Sequence, residues 1–304
     1  MLAKLISEAL GLVYREEWAV TRIFEEISNI AGNYSIKGLI STIVIISELA
    51  GMLFFGLPVS PRGQELDLTG YELVMYDEFD GDSLNTDLWH ARGNGPRRCG
   101  YNADSQIAVK DGNLVLTAEY LTDGEYGEGW YTGAVALKEW YKRGYFEIRC
   151  ICNPGGGFWS AFWLQAQHPY EAQYSQGGVG GAEIDIFEAM GYNDTPRDYI
   201  TSTIHCAGVD GVEEGFQSAM LGDFKGSNIY EEYNTYGLEW TEDEYIFYIN
   251  GVETTRSTFG NGVSDVFEQV IVSLEIPDEE GVSAFNPDDY STDFIVDYVK
   301  IYQK

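Results

Sequence analysis

One run of the chain interleaves three carboxylic acids with bulky apolar side chains: Glu183-Ile184-Asp185-Ile186-Phe187-Glu188. Because side chains two apart on a β-strand point to the same face, Glu183 and Asp185 share a face, and Glu188 has the wrong parity to join them. A β-bulge at Ile186 or Phe187 would insert one extra residue and turn Glu188 toward the other two acids. The run therefore predicts a bulged strand with three acids on one face and apolar side chains in a core.

The rest of the chain predicts a sheet protein. Helical periodicity is scarce beyond about the first sixty residues, whereas short alternating runs separated by glycine-containing turns recur to the end. The predicted strands cover 72–76, 113–119, 144–152, 158–164, 183–190, 199–206, 245–249, 269–276 and 293–302. Many antiparallel strands without helical partners favour a sandwich of two sheets, in one all-β domain over residues 67–304.

Residues 1–66 form a separate N-terminal segment with a hydrophobic stretch at about 38–59, which is near the length that spans a bilayer. Three interpretations stay open: a signal-anchor, a helix packed on the domain, or a misassigned start codon before an atypical signal. Glu48 counts against an anchor, because a central acid costs about 3 kcal/mol on insertion scales. With an anchor or signal, we expect a secreted or surface-anchored protein that contacts the membrane through this segment.

The charge of the chain limits its partners. A formal charge of −31, from 49 acids against 18 Lys and Arg, excludes nucleic acid, because no basic patch is available to neutralise phosphates. The same charge would repel a polysulfated polysaccharide at long range, whereas a neutral glucan would not be repelled. We expect a monomer.

The four cysteines, Cys99, Cys150, Cys152 and Cys206, do not have the spacing of a zinc site. Cys150 and Cys152 share a face of a predicted strand and are expected to pack as small apolar side chains. The sequence leaves a disulfide open, because connectivity cannot be deduced from an even count.

Three acids on one face repel one another, so the run indicates chemistry rather than structure. Retaining glycosidases use two carboxyl groups about 5–5.5 Å apart, a nucleophile and an acid/base, whereas inverting enzymes need about 6.5–9.5 Å. Two glutamates that lean together on one strand fit the shorter separation. Asp185, between them, would hydrogen-bond the nucleophile and help to keep one acid protonated near neutral pH.

The run resembles the bulged Glu-x-Asp-x-x-Glu signature of glycoside hydrolase family 16, as found in laminarinases, agarases and κ-carrageenases. Further stretches resemble the family in the same order, namely 76–81, 111–114, 131–133, 144–149, 157–164, 236–241 and 296–299. The resemblance implies a concanavalin A-like β-jelly-roll of two curved antiparallel sheets with a concave substrate groove. It also implies that Glu183 is the nucleophile, Asp185 its assistant and Glu188 the general acid/base.

Sugar rings present apolar C–H faces, so aromatic side chains commonly floor the clefts that bind them. Trp159 and Trp163 lie four apart on a predicted strand and share a face, and the resemblance places both near the cleft, although core packing is an alternative for each. The resemblance adds further substrate-binding residues: His205 beside the acid/base, with a buried structural role as its alternative, Trp240 in the groove, and Tyr101, Asn94 and Arg97 from the loop 93–102.

Two features qualify the resemblance. Laminarinases and lichenases commonly carry a tryptophan just before the signature, whereas this chain has Gly178-Val179-Gly180-Gly181-Ala182, which leaves the pocket shape and the glucan linkage open. The family often carries a structural calcium, for which Asp297 matches the side-chain ligand, with backbone oxygens near Glu78 and Gly112; no cofactor is expected for catalysis.

The leading hypothesis is a retaining endo-hydrolase of β-1,3- or β-1,3-1,4-glucan, with a polysaccharide as its partner. The alternative within the family is an agar, porphyran or carrageenan hydrolase, or a transglycosylase. Sulfated galactans would require cations in the groove, and the adjacent pair Arg97-Arg98 is the feature to examine. A non-catalytic lectin-like module is the distant alternative, against which the retained carboxylates argue.

Overall fold

The structure, a computed structural model, describes residues 58–154, 157–190, 198–276 and 290–304. A compact unit begins at Ser60 and runs to Lys304. Residues just before the predicted start at 67 belong to this unit, since Gly63 and Leu66 donate backbone hydrogen bonds to Glu253 and Gly251. No helix of the described ranges is long and apolar enough to cross a membrane, and positions 38–57 of the predicted hydrophobic stretch lie outside them.

The described residues form two sheets, which confirms the predicted all-β sandwich. In chain order, the strands are β1 Glu72–Asp77, β2 Trp89–Ala91, β3 Gly95–Arg97, β4 Gly100–Asn102, β5 Ile107–Lys110, β6 Asn113–Leu121, β7 Gly129–Thr132, β8 Ala134–Tyr141, β9 Gly144–Ile151, β10 Trp159–Gln165, β11 Glu183–Met190, β12 Tyr199–Ala207, β13 Phe216–Lys225, β14 Asn234–Trp240, β15 Tyr245–Ile249, β16 Val252–Ser257, β17 Glu268–Glu275 and β18 Ser291–Gln303. The described part of the chain also holds one short helix, α1, at Ala172–Ser175, and single 3-10 turns at Asp104–Gln106, Gln176–Gly178 and Val209–Gly211.

The larger sheet has eleven strands in the order β16-β15-β14-β9-β18-β6-β7-β4-β3, with β1 paired to β18 and β5 to β6. The smaller sheet has seven, in the order β13-β12-β11-β10-β17-β8-β2. All pairs within the named strands are antiparallel except β4 with β7. The acid-bearing strand β11 therefore lies third from one edge of the smaller sheet, with β12 and β13 on one side and β10 and β17 on the other.

The core lies between the two sheets. Phe187 of β11 is buried, and its ring centroid lies 4.2 Å from that of Tyr236 on β14 and 6.2 Å from that of Phe294 on β18. A side chain that points into this core leaves the neighbouring positions of β11 to face the opposite side of the sheet. The alternation of acids and apolar residues in β11 thus places the apolar side chains on the core face and the acids on the opposite face of the sheet.

The predicted bulge is present at Ile186. Phe162 of β10 pairs with Phe187 and Trp163 pairs with Asp185, so Ile186 has no opposite residue. The pairing with β12 is interrupted at the same place. Ser202 donates a hydrogen bond of 2.8 Å to the carbonyl oxygen of Ile186, which satisfies an acceptor that the ladder leaves unpaired.

All four cysteines are free thiols. Cys150 and Cys152 are fully buried, as their expected packing requires. The Sγ atom of Cys152 lies 3.8 Å from the Tyr236 hydroxyl.

Candidate active site

The bulge brings the three acids to one face of the smaller sheet. Residues that lie opposite each other on paired strands point to the same side, so the register gives a row of neighbours for each acid. The rows are Gln165–Glu183–His205, Trp163–Asp185–Thr203 and Ala161–Glu188–Thr201. Glu183, Asp185 and Glu188 all line a cleft of about 230 Å³ on this face.

The carboxylate of Glu183 is held by two donors. Gln165 donates from Nε2 to Oε2 at 2.6 Å, and the hydroxyl of Tyr170 donates to the same oxygen. Arg92 donates to Oε1 of Gln165 at 2.7 Å, which orients the Gln165 amide toward the acid. This chain of contacts fixes the direction of the Glu183 carboxylate within the cleft.

Glu188 has the properties of a proton donor. Burial, followed by the nearby Asp185 carboxyl, raises the pKa of Glu188 to about 8. The indole Nε1 of Trp159 donates to Oε1 of Glu188 at 3.1 Å, and this hydrogen bond opposes the rise by favouring the carboxylate. At neutral pH, Glu188 is therefore mostly protonated.

Asp185 is buried between the two glutamates, and burial, then the charges of Glu183 and Glu275, raises its pKa well above the usual range. Its Oδ2 atom lies 3.2 Å from Nε2 of His205. His205 is thus a neighbour of Asp185 that the sequence did not indicate, and the expected hydrogen bond between Asp185 and Glu183 stays a prediction. Nδ1 of His205 lies 2.6 Å from the Ser218 hydroxyl, so the ring is held at both nitrogens.

Two tryptophans and three arginines line the cleft beside the acids. The guanidinium of Arg92 lies 4.6 Å from the ring centroid of Trp163, and that of Arg98 lies 4.6 Å from the ring centroid of Trp159. Each tryptophan thus has one face covered by a cation. Trp163 is only 6% exposed and donates from Nε1 to Ser273 at 3.0 Å. It therefore lines the cleft, as the resemblance implied, and is also packed in the core cluster, as the alternative held.

Arg97 completes the cationic wall and is anchored by an acid. Its Nη2 and Nε atoms donate to one oxygen of Glu275 at 2.6 and 3.0 Å, and Arg98 lies 3.6 Å from the same oxygen. The sequence pointed to Arg97 and Arg98 through their adjacency. It gave no signal for Arg92 or Glu275, because only the fold brings β17 and the end of β2 beside β10.

Three expected substrate-binding residues lie elsewhere. Trp240 is 1% exposed and donates from Nε1 to the carbonyl of Ser264 at 3.1 Å, so its expected place in the groove is wrong: β14 belongs to the larger sheet, where this position faces the core. Asn94 donates to Asp104 at 2.6 Å, and Tyr101 packs 5.0 Å from the Tyr131 ring. Neither of these two lines the cleft.

The expected side-chain ligand of the calcium, Asp297, is engaged with another side chain. Its carboxylate forms an ion pair of 2.5 Å with Arg149. A guanidinium on the Asp297 oxygen does not fit a calcium ion, which requires several free oxygen ligands. Among the described residues, Glu183, Asp185 and His205 form the group of potential ligands whose atoms lie within 4.8 Å of one another.

A family model, several curated relatives and a solved structure that resemble this chain belong to polysaccharide-degrading enzymes. The sequence model described as "Beta-porphyranase A-D, GH16 domain" matches residues 73–303. Glucan endo-1,3-beta-glucosidase A1 of Niallia circulans is 25% identical over 82% of this chain and 39% of its own length. Beta-porphyranase E of Zobellia galactanivorans is 30% identical over 58% of this chain and 64% of its own length.

The first three curated relatives are matched over only 39% of their own length. Among solved structures, SCLam, a non-specific endo-beta-1,3(4)-glucanase from family GH16, has a TM-score of 0.64 at 22% identity, covering 81% of this chain and 97% of that one. At this identity the likeness concerns the fold. It agrees with the jelly-roll architecture expected from the sequence.

Proposed function

Because the chain belongs to glycoside hydrolase family 16, we propose that it is an endo-acting hydrolase that cleaves a polysaccharide with retention of configuration. Glu183 acts as the nucleophile and Glu188 as the general acid/base. The different environments of the two glutamates support this division, since Glu188 carries a raised pKa and Glu183 is held by two hydrogen-bond donors.

The first step breaks the glycosidic bond. Glu188, protonated at neutral pH, gives its proton to the leaving oxygen while Glu183 attacks the anomeric carbon, which forms a glycosyl–enzyme ester. In the second step, ionised Glu188 takes a proton from water, the hydroxide oxygen attacks the anomeric carbon, and Glu183 leaves as a carboxylate. Two inversions give net retention, and a sugar hydroxyl in place of water would give transglycosylation.

Gln165 and Tyr170 have a positioning role in this mechanism. Both donate to Oε2 of Glu183, which leaves Oε1 as the oxygen available for attack. Asp185 lies between the two catalytic glutamates on β11, and His205, whose Nε2 is 3.2 Å from Oδ2 of Asp185, orients this carboxyl group.

The substrate that we favour is a sulfated galactan of the porphyran type. The observation that carries this choice is the group Arg92, Arg97 and Arg98 on the cleft wall, in a chain with few basic residues. A guanidinium presents paired N–H donors that match a sulfate ester, as they match other oxyanions. The arginines also cover one face of Trp159 and one of Trp163, which leaves less bare indole for a neutral glucan ring.

A β-1,3- or β-1,3-1,4-glucan is the second candidate. Glu275 binds both Arg97 and Arg98 and so compensates part of the cationic charge that a sulfate would need. Glucanases among the relatives agree with this alternative. In either case we propose a monomer acting outside the cell or at its surface, where polysaccharides are accessible.

Reducing-sugar release by the full chain on porphyran, agarose, κ-carrageenan, laminarin and barley glucan tests the proposal, with Glu183→Gln as the control. We expect release from porphyran that the substitution abolishes. Release from laminarin or barley glucan alone would show that the arginines do not select the substrate. Binding without release on all five would indicate a lectin.

A further inference from the structure

The face that carries the acids continues beyond them to the edge of the smaller sheet. On β13, Phe216 lies opposite Ala207, Ser218 opposite His205 and Met220 opposite Thr203. Opposite residues share a face, and His205 and Thr203 belong to the rows of Glu183 and Asp185. Phe216, Ser218 and Met220 therefore point to the same side of the sheet as the catalytic acids.

Two of these side chains are exposed to an extent that packing does not explain. Phe216 is 54% exposed and Met220 is 73% exposed. The Phe216 ring lies 5.2 Å from the Tyr170 ring and 5.6 Å from the His205 ring, measured between centroids. Because Tyr170 lines the cleft and contacts Glu183, this apolar surface is continuous with the catalytic centre.

The charge of this surface differs from that of the arginine wall. Between the acids and β13 lie Thr201 and Thr203, which are small, uncharged and largely buried. The described residue opposite Thr201 on β13 is Asp223, an acid. Two further groups share this face: His205, whose ring nitrogens lie 3.2 Å from Asp185 and 2.6 Å from Ser218, and Lys225, opposite Tyr199 at the far end of β13. Next to Phe216 and Met220, a sulfate ester would meet apolar groups and a histidine already held at both nitrogens, whereas three arginines line the other side of the acids.

We propose that the surface formed by Phe216 and Met220, which we call the β13 platform, binds an uncharged sugar ring of the substrate on the side of the cleavage point opposite to the arginines. This inference rests on the proposed function. Strands are about 4.8 Å apart, so β13 lies about 10 Å from β11, within one or two sugar rings of the scissile bond. An aromatic ring and a thioether both pack well against the C–H face of a sugar.

The test uses binding, measured by calorimetry in the full chain carrying Glu183→Gln so that no substrate is consumed. The probes are porphyran oligosaccharides of one length, before and after chemical desulfation. Phe216→Ala should weaken the binding of both preparations by the same factor, about tenfold for the loss of one stacked ring, and Phe216→Tyr should restore it. Arg98→Ala should weaken the binding of the sulfated preparation alone.

Tyr76→Ala is the matched control, because it removes a 42% exposed aromatic ring from β1 of the larger sheet. It should leave both affinities unchanged. If Phe216→Ala and the Glu183→Gln chain without it bind with equal affinity, the platform proposal is overturned. A loss confined to the sulfated preparation would also overturn it, since the sugar ring bound there would then carry the sulfate.

The same measurements separate the platform from the proposed function. If the parent chain cleaves a polysaccharide and binding is indifferent to Phe216, the platform fails and the function stands. If no polymer is cleaved but the binding of either preparation still depends on Phe216, the platform stands and the hydrolase proposal fails. Sedimentation adds a further outcome: a dimer that Phe216→Ala converts to monomer would assign the surface to a second copy of the chain and overturn the proposal.

Discussion

Replacing Trp159 by phenylalanine should move the alkaline limit of activity to higher pH. The indole Nε1 of Trp159 donates to Glu188 and, by favouring its ionised form, lowers a pKa that burial and Asp185 raise to about 8. The proposed general acid works only when protonated, so activity is lost as pH rises through this pKa. Without the indole donor, the carboxylate loses a stabilising partner and holds its proton to a higher pH.

The size of the shift follows from the strength of one hydrogen bond to a charged group. Such bonds contribute about 1.5–3 kcal/mol, and one pKa unit corresponds to about 1.4 kcal/mol. Because Glu188 is partly exposed and water can replace the indole, we expect the lower part of this range, a shift of about one unit. Phenylalanine retains a ring beneath Arg98, so the stacked contact is preserved in kind.

The assay is kcat/KM against pH for the parent chain, Trp159→Phe and Trp163→Phe. Trp163 also lies in the cleft beneath an arginine, but its Nε1 donates to Ser273, so Trp163→Phe controls for the loss of an indole that does not contact Glu188. An active Trp159→Phe variant whose alkaline limb stays in place, or moves to lower pH, would refute the assignment of Glu188 as the acid. A limb that moves equally in both variants would refute the role of this hydrogen bond.

Three further outcomes are expected. Arg97→Ala should lower kcat/KM on a sulfated galactan by about tenfold or more, with little effect on a neutral polymer, because the charge-assisted hydrogen bond proposed between this cleft arginine and a sulfate is lost; equal losses on both would argue against sulfate recognition. Added calcium should leave the Tm unchanged, since Arg149 engages Asp297, and a calcium-dependent rise in a thermal melt would restore the expectation from the resemblance. Phe187→Ala should lower the free energy of unfolding by about 3–5 kcal/mol in a urea titration, because Phe187 is fully buried between the sheets; a loss below about 1 kcal/mol would contradict that packing.

The sequence predicted the part of the site that depends on which side chains of one strand share a face. The spacing of the acids on β11 predicted a bulge, because one extra residue is needed to put Glu188 on the face of Asp185. The bulge is at Ile186. Alternation does not show which sheet a strand joins, so it could not correct the place in the groove that the resemblance implied for Trp240, whose strand β14 lies in the larger sheet.

Residues whose role depends on tertiary contacts left no sequence signal. Arg92 is an isolated arginine that acquires its neighbours Trp163 and Gln165 only when β2 and β10 join one sheet. Strand β13 was missed because its sequence mixes exposed apolar residues with Gly222 and charged residues, as an edge strand with one solvated face does. The β13 platform was therefore outside the reach of pattern analysis.

The net charge of the chain favours a neutral glucan, whereas the arginines in the cleft favour a sulfated galactan. The distance over which each charge acts decides between these substrates. A charge of −31 spread over the surface repels a sulfated polymer at a distance. At physiological ionic strength, however, exposed charges are largely screened beyond about 8 Å. A sulfate group inside the cleft would lie against Arg97 and Arg98 at short range, where screening is weak. Net charge therefore bears on how fast a polymer approaches, and the arginine wall bears on which polymer is held there.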